Sequence, residues 1–213
     1  MRLEAREIAA NRGGERLFSA VSFELTSGES LILKGKNGSG KSTLIRTIAG
    51  LLPLEEGEVT LTLESGAIAP RVAEACHYLG HRNAMKKELT VEENLQFWKS
   101  FFGNYHGGSG MEIDEAADAL GLIGLLHLPF GYLSAGQQRR MAMAKLLTAW
   151  RPVWLLDEPT AALDSQSEEI FADLMKTHLD KGGMIIAATH QPLGLENAQQ
   201  LVMTGFDYLG EAA

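Results

Sequence analysis

The chain has 213 residues, 45% of them hydrophobic and 22% charged, with 27 acidic against 19 basic side chains and a formal net charge of −8. A chain of this length can bury one large core, and its acidic balance argues against a duplex-binding surface, which needs a basic stripe, so no nucleic acid is expected as a partner. The only cysteine, Cys76, rules out an internal disulfide; it suits a reducing compartment and, within an apolar strand-like segment, reads as a packed thiol rather than a ligand.

Met1 to Ile8 carries Arg2, Glu4, Arg6 and Glu7, so no charged-then-apolar leader is expected. Alternation in Val21-Ser22-Phe23-Glu24-Leu25 and in Val59-Thr60-Leu61-Thr62-Leu63 predicts strands of an antiparallel edge sheet. Between them, the apolar run Leu31-Ile32-Leu33 leads into Gly35-Lys36-Asn37-Gly38-Ser39-Gly40-Lys41-Ser42 and then the helix-forming Thr43-Leu44-Ile45-Arg46. Strand, glycine-rich turn and helix in that order make a phosphate-binding loop. Gly35, Gly38 and Gly40 let the backbone turn tightly enough for several N–H groups to converge on one anion, at the positive end of the following helix. Lys41 is placed to reach the β- and γ-phosphates and the Ser42 hydroxyl to ligate Mg²⁺, with Asn37, Ser39 and Thr43 completing the nucleotide-binding set. The helix from Lys41 to Ala49 is expected to end on a Gly50 cap.

Cys76-His77-Tyr78-Leu79-Gly80 leads to His81. Thr90-Val91-Glu92-Glu93 resembles a capping box, opening a helix through Phe97, Trp98 and Phe101 to near Gly103. Phe97, Trp98, Phe101 and Phe102 recur at helical spacing and read as core packing. Gly107-Gly108-Ser109-Gly110 is expected to be a flexible connector, followed by a helix over Glu112 to Leu120. The long weakly charged stretch from Ala116 to Tyr132 contains Asp118, His127, Pro129 and glycines, a poor spanning helix, so any attachment to a membrane must come through another protein.

Leu133-Ser134-Ala135-Gly136-Gln137 precedes a helically spaced run, Gln138 to Leu147, with Ser134 at the N-cap position. It offers a further helix N-terminus to an anion; taken alone it reads first as a simple capped helix. Val153-Trp154-Leu155-Leu156 is a continuous apolar run, as in a strand buried on both faces of a parallel sheet. It ends in Asp157-Glu158. There Asp157 can hold Mg²⁺ through water, and Glu158 can face the γ-phosphate as base for an attacking water. Ser165 is expected to cap a helix from Gln166 to Lys181, with Glu168 and Glu169 in its first turn. Met184 to Ala188 reads as another buried strand, delivering His190. No added regulatory domain is expected beyond Leu209.

The segment LSAGQ resembles the LSGGQ signature of ATP-binding cassette ATPases, with Ala135 in place of a glycine. Asp157-Glu158 is similar to that family's Walker B pair, Ala162-Leu163-Asp164 to its D-loop and His190 to its switch histidine. The resemblance covers nearly the whole chain. It implies an α/β P-loop NTPase of the cassette type: a RecA-like parallel sheet core with an antiparallel β subdomain and an α-helical subdomain inserted at about 82–150. The segments MRLEAREIA, RGGERLFSAVSFEL, Gly80-His81 before ELTVEENL, WLLDEPTAALD and ATHQPLGL look like those of haem-exporter ATPase subunits of bacterial cytochrome c maturation.

That resemblance implies ATP and Mg²⁺ as cofactors and transport-coupled ATP hydrolysis. It further implies a head-to-tail homodimer in which Ser134, Gly136 and Gln137 of one copy cover ATP held by Lys41 of the other. Glu158 would be the catalytic base, with His190 contacting the γ-phosphate and linking the base to the neighbour's Asp164. The implied partner is the integral membrane permease subunit of the cytochrome c maturation haem exporter, at the cytoplasmic face of the inner membrane. A groove receiving that permease is the second reading of the aromatic cluster. An ATPase subunit for a transporter of another substrate is the alternative function.

Two positions depart from the family pattern. His81 stands where a metal-touching glutamine is usual, and is read either as a metal-site residue or as a surface histidine. Upstream of the P-loop no aromatic is available to stack on the adenine; Arg12 either stacks its guanidinium there or is a solvated loop residue. Selectivity for the base is accordingly expected to be modest.

Overall fold

The apolar runs become strands that are covered on both faces. In the computed structural model, which describes residues 1–12 and 15–205, with the side chains of residues 12 and 15 outside the description, two sheets form. The strands are β1 (Arg2–Arg12), β2 (Glu15–Thr26), β3 (Ser30–Lys34), β4 (Glu56–Thr62), β5 (Cys76–Leu79), β6 (Val153–Asp157), β7 (Met184–Ala188) and β8 (Gln199–Val202). β2, β1 and β4 make an antiparallel sheet in that order, and β5-β6-β7-β3-β8 a parallel one. Leu209 lies outside the described residues.

Successive side chains of a strand point to opposite faces, and the parallel strands divide their residues accordingly between two cores. Leu31, Leu33, Val153, Leu155, Met184, Ile186 and Ala188 pack with the antiparallel sheet and α1 (Lys41–Ile48). The alternate residues Ile32, Trp154, Leu156, Ile185 and Ala187 pack against the remaining helices. These are α2 (Val91–Phe102), α3 (Ile113–Asp118), α4 (Ala135–Leu147) and α5 (Ser165–Asp180). Such double burial is why these strands read as unbroken apolar runs.

The helix ends follow local chemistry. α1 closes with Gly50 at φ 70°, its N–H donating to the Thr47 carbonyl at 3.0 Å and that of Leu51 to Arg46 at 2.8 Å, the hydrogen-bond pattern of a Schellman cap. Thr90 and Glu93 exchange capping-box bonds at the start of α2. At α5 the cap is Asp164 rather than Ser165: its carboxylate accepts from the Ser167 N–H at 2.8 Å, which makes Ser165 the first helical residue. A carboxylate both satisfies that N–H and complements the helix dipole; the bonds from Ser167 hold its pKa below the ordinary value.

Two expectations are corrected. Phe97 and Phe101 are not core: they are 48% and 68% exposed. The buried stripe of α2 runs from Val91, Asn94 and Leu95 into the half-buried Trp98 and Phe102, and Phe97 and Phe101 lie along its solvent-facing edge. The Gly107–Gly110 segment is no free tether either. Gly110 donates its N–H to Asn104 Oδ1 at 2.8 Å, and a Cβ on Gly108 would stand 2.6 Å from the Trp150 ring. Glycine here serves close packing. Among the described residues, no helix is long and apolar enough to cross a membrane.

Candidate functional site

The loop Gly35–Ser42 joins the C-terminal end of β3 to α1 and needs a backbone that ordinary residues resist. Gly35 has φ 139° and a Cβ there would lie 2.7 Å from Ser39 Oγ; Gly40, the N-cap of α1, has φ 96°. Gly38 shares the positive φ, at 85°. Lys41 is folded back over this loop, its Nζ donating to the Gly35 carbonyl at 2.7 Å and to that of Lys36 at 3.0 Å. The ammonium is therefore held by replaceable carbonyl partners at the mouth of a helix N-terminus. Ser39 and Thr43 are buried, and Ser39 Oγ has no hydrogen-bond partner among the described residues.

β6 ends beside this loop with β7 between it and β3. Ser42 Oγ donates to Asp157 Oδ1 at 2.7 Å, and Arg46 Nη2 stands 3.6 Å from Asp157 Oδ2. Arg46 is itself oriented by Tyr78 of β5, whose Oη accepts from its Nε at 3.1 Å. Glu158 follows with φ 47°, its N–H donating to the Ala188 carbonyl at 2.8 Å. This carries its carboxylate toward His190, with Oε1 3.8 Å from Nε2. The same Nε2 lies 3.1 Å from Asn37 Oδ1. Phosphate loop, acidic pair and histidine are thus gathered at one end of the parallel sheet.

The signature segment is organised as a helix start. Ser134 Oγ accepts from the Gln137 N–H at 3.3 Å and Gln137 Oε1 accepts from the Ser134 N–H at 2.8 Å, so the Gln137 side chain closes a capping box rather than reaching outward. Ser134 is exposed, and a Cβ on Gly136 would lie 3.5 Å from the Ala162 carbonyl. Among the described residues no hydrogen bond joins this turn to Gly35–Ser42 of the same chain. His81 is exposed beyond β5 and, among the described residues, makes no hydrogen bond or ion pair, so nothing ties it to Ser42 or Asp157. The Arg12 side chain lies outside the described residues.

One residue of the site was not singled out in the sequence. Arg139, 4% exposed on α4, donates Nε to the Pro159 carbonyl at 2.8 Å, Nη2 to the Glu158 carbonyl at 2.7 Å and Nη1 to the Gly80 carbonyl at 2.8 Å. Burial lowers its pKa to about 10, with Asp157 opposing, and it stays charged at neutral pH. A charge within the buried stretch of a helix was the available signal.

The comparisons with known proteins agree with this geometry. A family model described as "ABC transporter" matches residues 18–161. The cytochrome c biogenesis ATP-binding export protein CcmA of Agrobacterium fabrum is 62% identical over 206 residues, covering 97% of each chain. Its namesake in Rhizobium meliloti is 60% identical over 207 residues, covering 97% of this chain and 99% of its own. A solved ATP-binding subunit of an ABC transporter superposes with a TM-score of 0.81 at 22% identity, over 96% of this chain and 86% of that one, which shows a shared fold.

Proposed function

The chain belongs to the ABC transporter family, and on that footing we propose that it is the ATP-hydrolysing motor of a membrane export complex serving cytochrome c biogenesis. The observation that carries the reading is the convergence of Lys41, Ser42, Asp157, Glu158 and His190 at one end of the sheet. The likeness to relatives named for export in that process supports the direction and setting of transport.

ATP lies with its phosphates against the backbone N–H groups of Gly38 to Thr43, and Lys41 exchanges its carbonyl partners for phosphate oxygens. The residues present fit Mg²⁺: Ser42 and Asp157 supply hard oxygen donors, and phosphate and water oxygens complete the shell such an ion keeps. Two protein oxygens leave most of that shell to phosphate and water, so metal and nucleotide arrive together. Mg²⁺, when bound, neutralises charge on the β- and γ-phosphates.

Glu158 orients the attacking water and takes its proton, and His190 holds the far side of the γ-phosphate. Ser134 and Gly136 of a second copy, packed head to tail, close the pocket with the exposed start of α4. Hydrolysis removes the bridge and the copies part, moving an integral permease bound at the cytoplasmic face. The exposed Phe97 and Phe101 are the surface offered to that permease. Haem export, or release of a haem-loaded chaperone, is the work driven.

The test is phosphate release by the complex purified from membranes, parental against Glu158→Gln, with the co-purifying polytopic subunit identified. ATP-dependent turnover lost in the variant, together with an exporter subunit, supports the proposal. Absence of turnover in the parental complex, or recovery of a nutrient-import permease, overturns it.

A further inference from the structure

We infer that Arg139 is a positioning residue for the Glu158 carboxylate, locking the acidic strand end to the helix that carries the signature turn; this rests on the ATPase reading above. Glu158 adopts φ 47°, a left-handed conformation that a non-glycine residue holds only where its surroundings impose it. The surroundings here grip both ends of the residue. The N–H is held by the Ala188 carbonyl of β7 at 2.8 Å and the C=O by Arg139 Nη2 at 2.7 Å.

The same guanidinium takes the next carbonyl, Pro159, through Nε. It also reaches across to Gly80 at the end of β5, with Asn83 Oδ1 at 3.4 Å from Nη1. No carboxylate is ion-paired to Arg139 among the described residues; its partners are backbone carbonyls and one amide oxygen. A planar fork with fixed donor directions suits this arrangement, because it sets the relative position of separate segments instead of neutralising a charge. Three residues before Arg139, on the same face of α4, lies Gly136 of the signature turn. A shift of that turn on meeting a partner's nucleotide is therefore carried to the Glu158 backbone through one side chain.

The decisive experiment is a double-mutant cycle in ATP hydrolysis, measured on the membrane-purified complex. Arg139→Lys and Arg139→Gln are made alone and with Glu158→Gln, and MgATP binding is measured for each by equilibrium dialysis. Arg139→Lys keeps the charge without the fork and Arg139→Gln keeps one donor group without the charge. In the parental background each is expected to lower kcat by roughly ten- to a hundredfold, the cost of misplacing a reacting group by about an ångström, with MgATP affinity changed less than about threefold. In the Glu158→Gln background the same substitutions are expected to change residual turnover less than about threefold, because the group they position is already disabled.

Equal losses in both backgrounds overturn the proposal, as does parental kcat in the lysine variant or failure of both variants to fold, which would make Arg139 a folding residue. Inactivity of the parental complex is a different result and counts against the ATPase reading itself.

Discussion

Ser42 Oγ donates a 2.7 Å hydrogen bond to Asp157 Oδ1 across 115 residues of sequence. The carboxylate is buried, and its cationic neighbour Arg46 stands off at 3.6 Å, so among the described residues no side chain hydrogen-bonds to Oδ2. Asp157→Asn is expected to raise the Mg²⁺ concentration for half-maximal hydrolysis by roughly 10- to 100-fold, the usual cost of losing an outer-shell carboxylate. A Mg²⁺ titration at saturating ATP measures it; an unchanged midpoint would remove Asp157 from the metal site.

Glu158→Gln keeps the shape and the backbone bonds of the residue but not its capacity to accept a proton. Turnover is expected to fall on the order of 10² to 10⁴ while ATP still binds. Phosphate release together with size-exclusion chromatography in MgATP reads both consequences, because a closed dimer should accumulate. Turnover at the parental rate would displace the base to another group.

Much of this arrangement was legible because backbone chemistry and burial act locally. The glycines of Gly35–Ser42, the Thr90 capping box, the Ser134 N-cap and the doubly buried runs at Leu31–Leu33 and Val153–Leu156 each declare their structure over a few residues. What escaped depends on distant partners. Arg139 is defined by carbonyls of Gly80, Glu158 and Pro159, and no spacing rule marks a side chain whose partners are main-chain oxygens from elsewhere. Phe97 and Phe101 escaped for a different reason: aromatic character suggests core, but the three-and-four spacing from Val91 to Asn94 and Leu95, and on to Trp98 and Phe102, leaves them at the edge of the buried stripe. Asp164 took the cap expected of Ser165 because adjacent residues compete for that position and only the backbone angles decide.

Acid stability should be governed by two buried histidines. Burial lowers His77 to about 3, with Lys145, Arg151 and His178 adding to the effect, and lowers His178 to about 4, with Lys181 adding. Both folded values lie below the ordinary 6.5, so the unfolded chain binds more protons. Their contribution is complete above pH 6.5 and is lost progressively as pH falls toward the folded values, at up to about 1.4 kcal/mol per pH unit for each group. Between pH 6.5 and 5 the acidic side chains add little, since Glu4, pulled to about 2 chiefly by Arg6 and Arg2, starts from 4.5. Urea midpoints measured across that interval should fall steadily, and His178→Phe should remove about half of the slope. A flat profile would mean that these imidazoles are not buried neutral.

Cys76 offers a probe of opening because it is the only cysteine and its environment suppresses its chemistry. Burial pushes the thiol up to about 12 and its Sγ bonds to the Val72 carbonyl at 3.2 Å. Labelling by a disulfide reagent at pH 8 is expected to be slower than in urea by on the order of 10³ or more, following the population of the unfolded state. Prompt stoichiometric labelling of the native protein would show β5 to open locally at the edge of its sheet.

The exposed aromatics give a test of where force is passed on. Phe97 and Phe101 stack at 6.0 Å with Trp98 against both, and Lys86 lies 5.9 Å over Phe97. Beneath them Lys145 sits 4.8 Å over the Trp98 ring and reaches the Tyr78 carbonyl, so the patch is anchored to β5 beside the nucleotide end of the sheet. Two large rings held in water cost solubility that an uncovered surface does not need. Phe97→Ser with Phe101→Ser is expected to leave thermal stability and ATP binding nearly unchanged, since exposed positions seldom matter by more than about 0.5 kcal/mol each. The same variant should lose most of its co-purification with the membrane subunit and the turnover that depends on it. Full recovery of the complex with both rings removed would place the permease contact on another face.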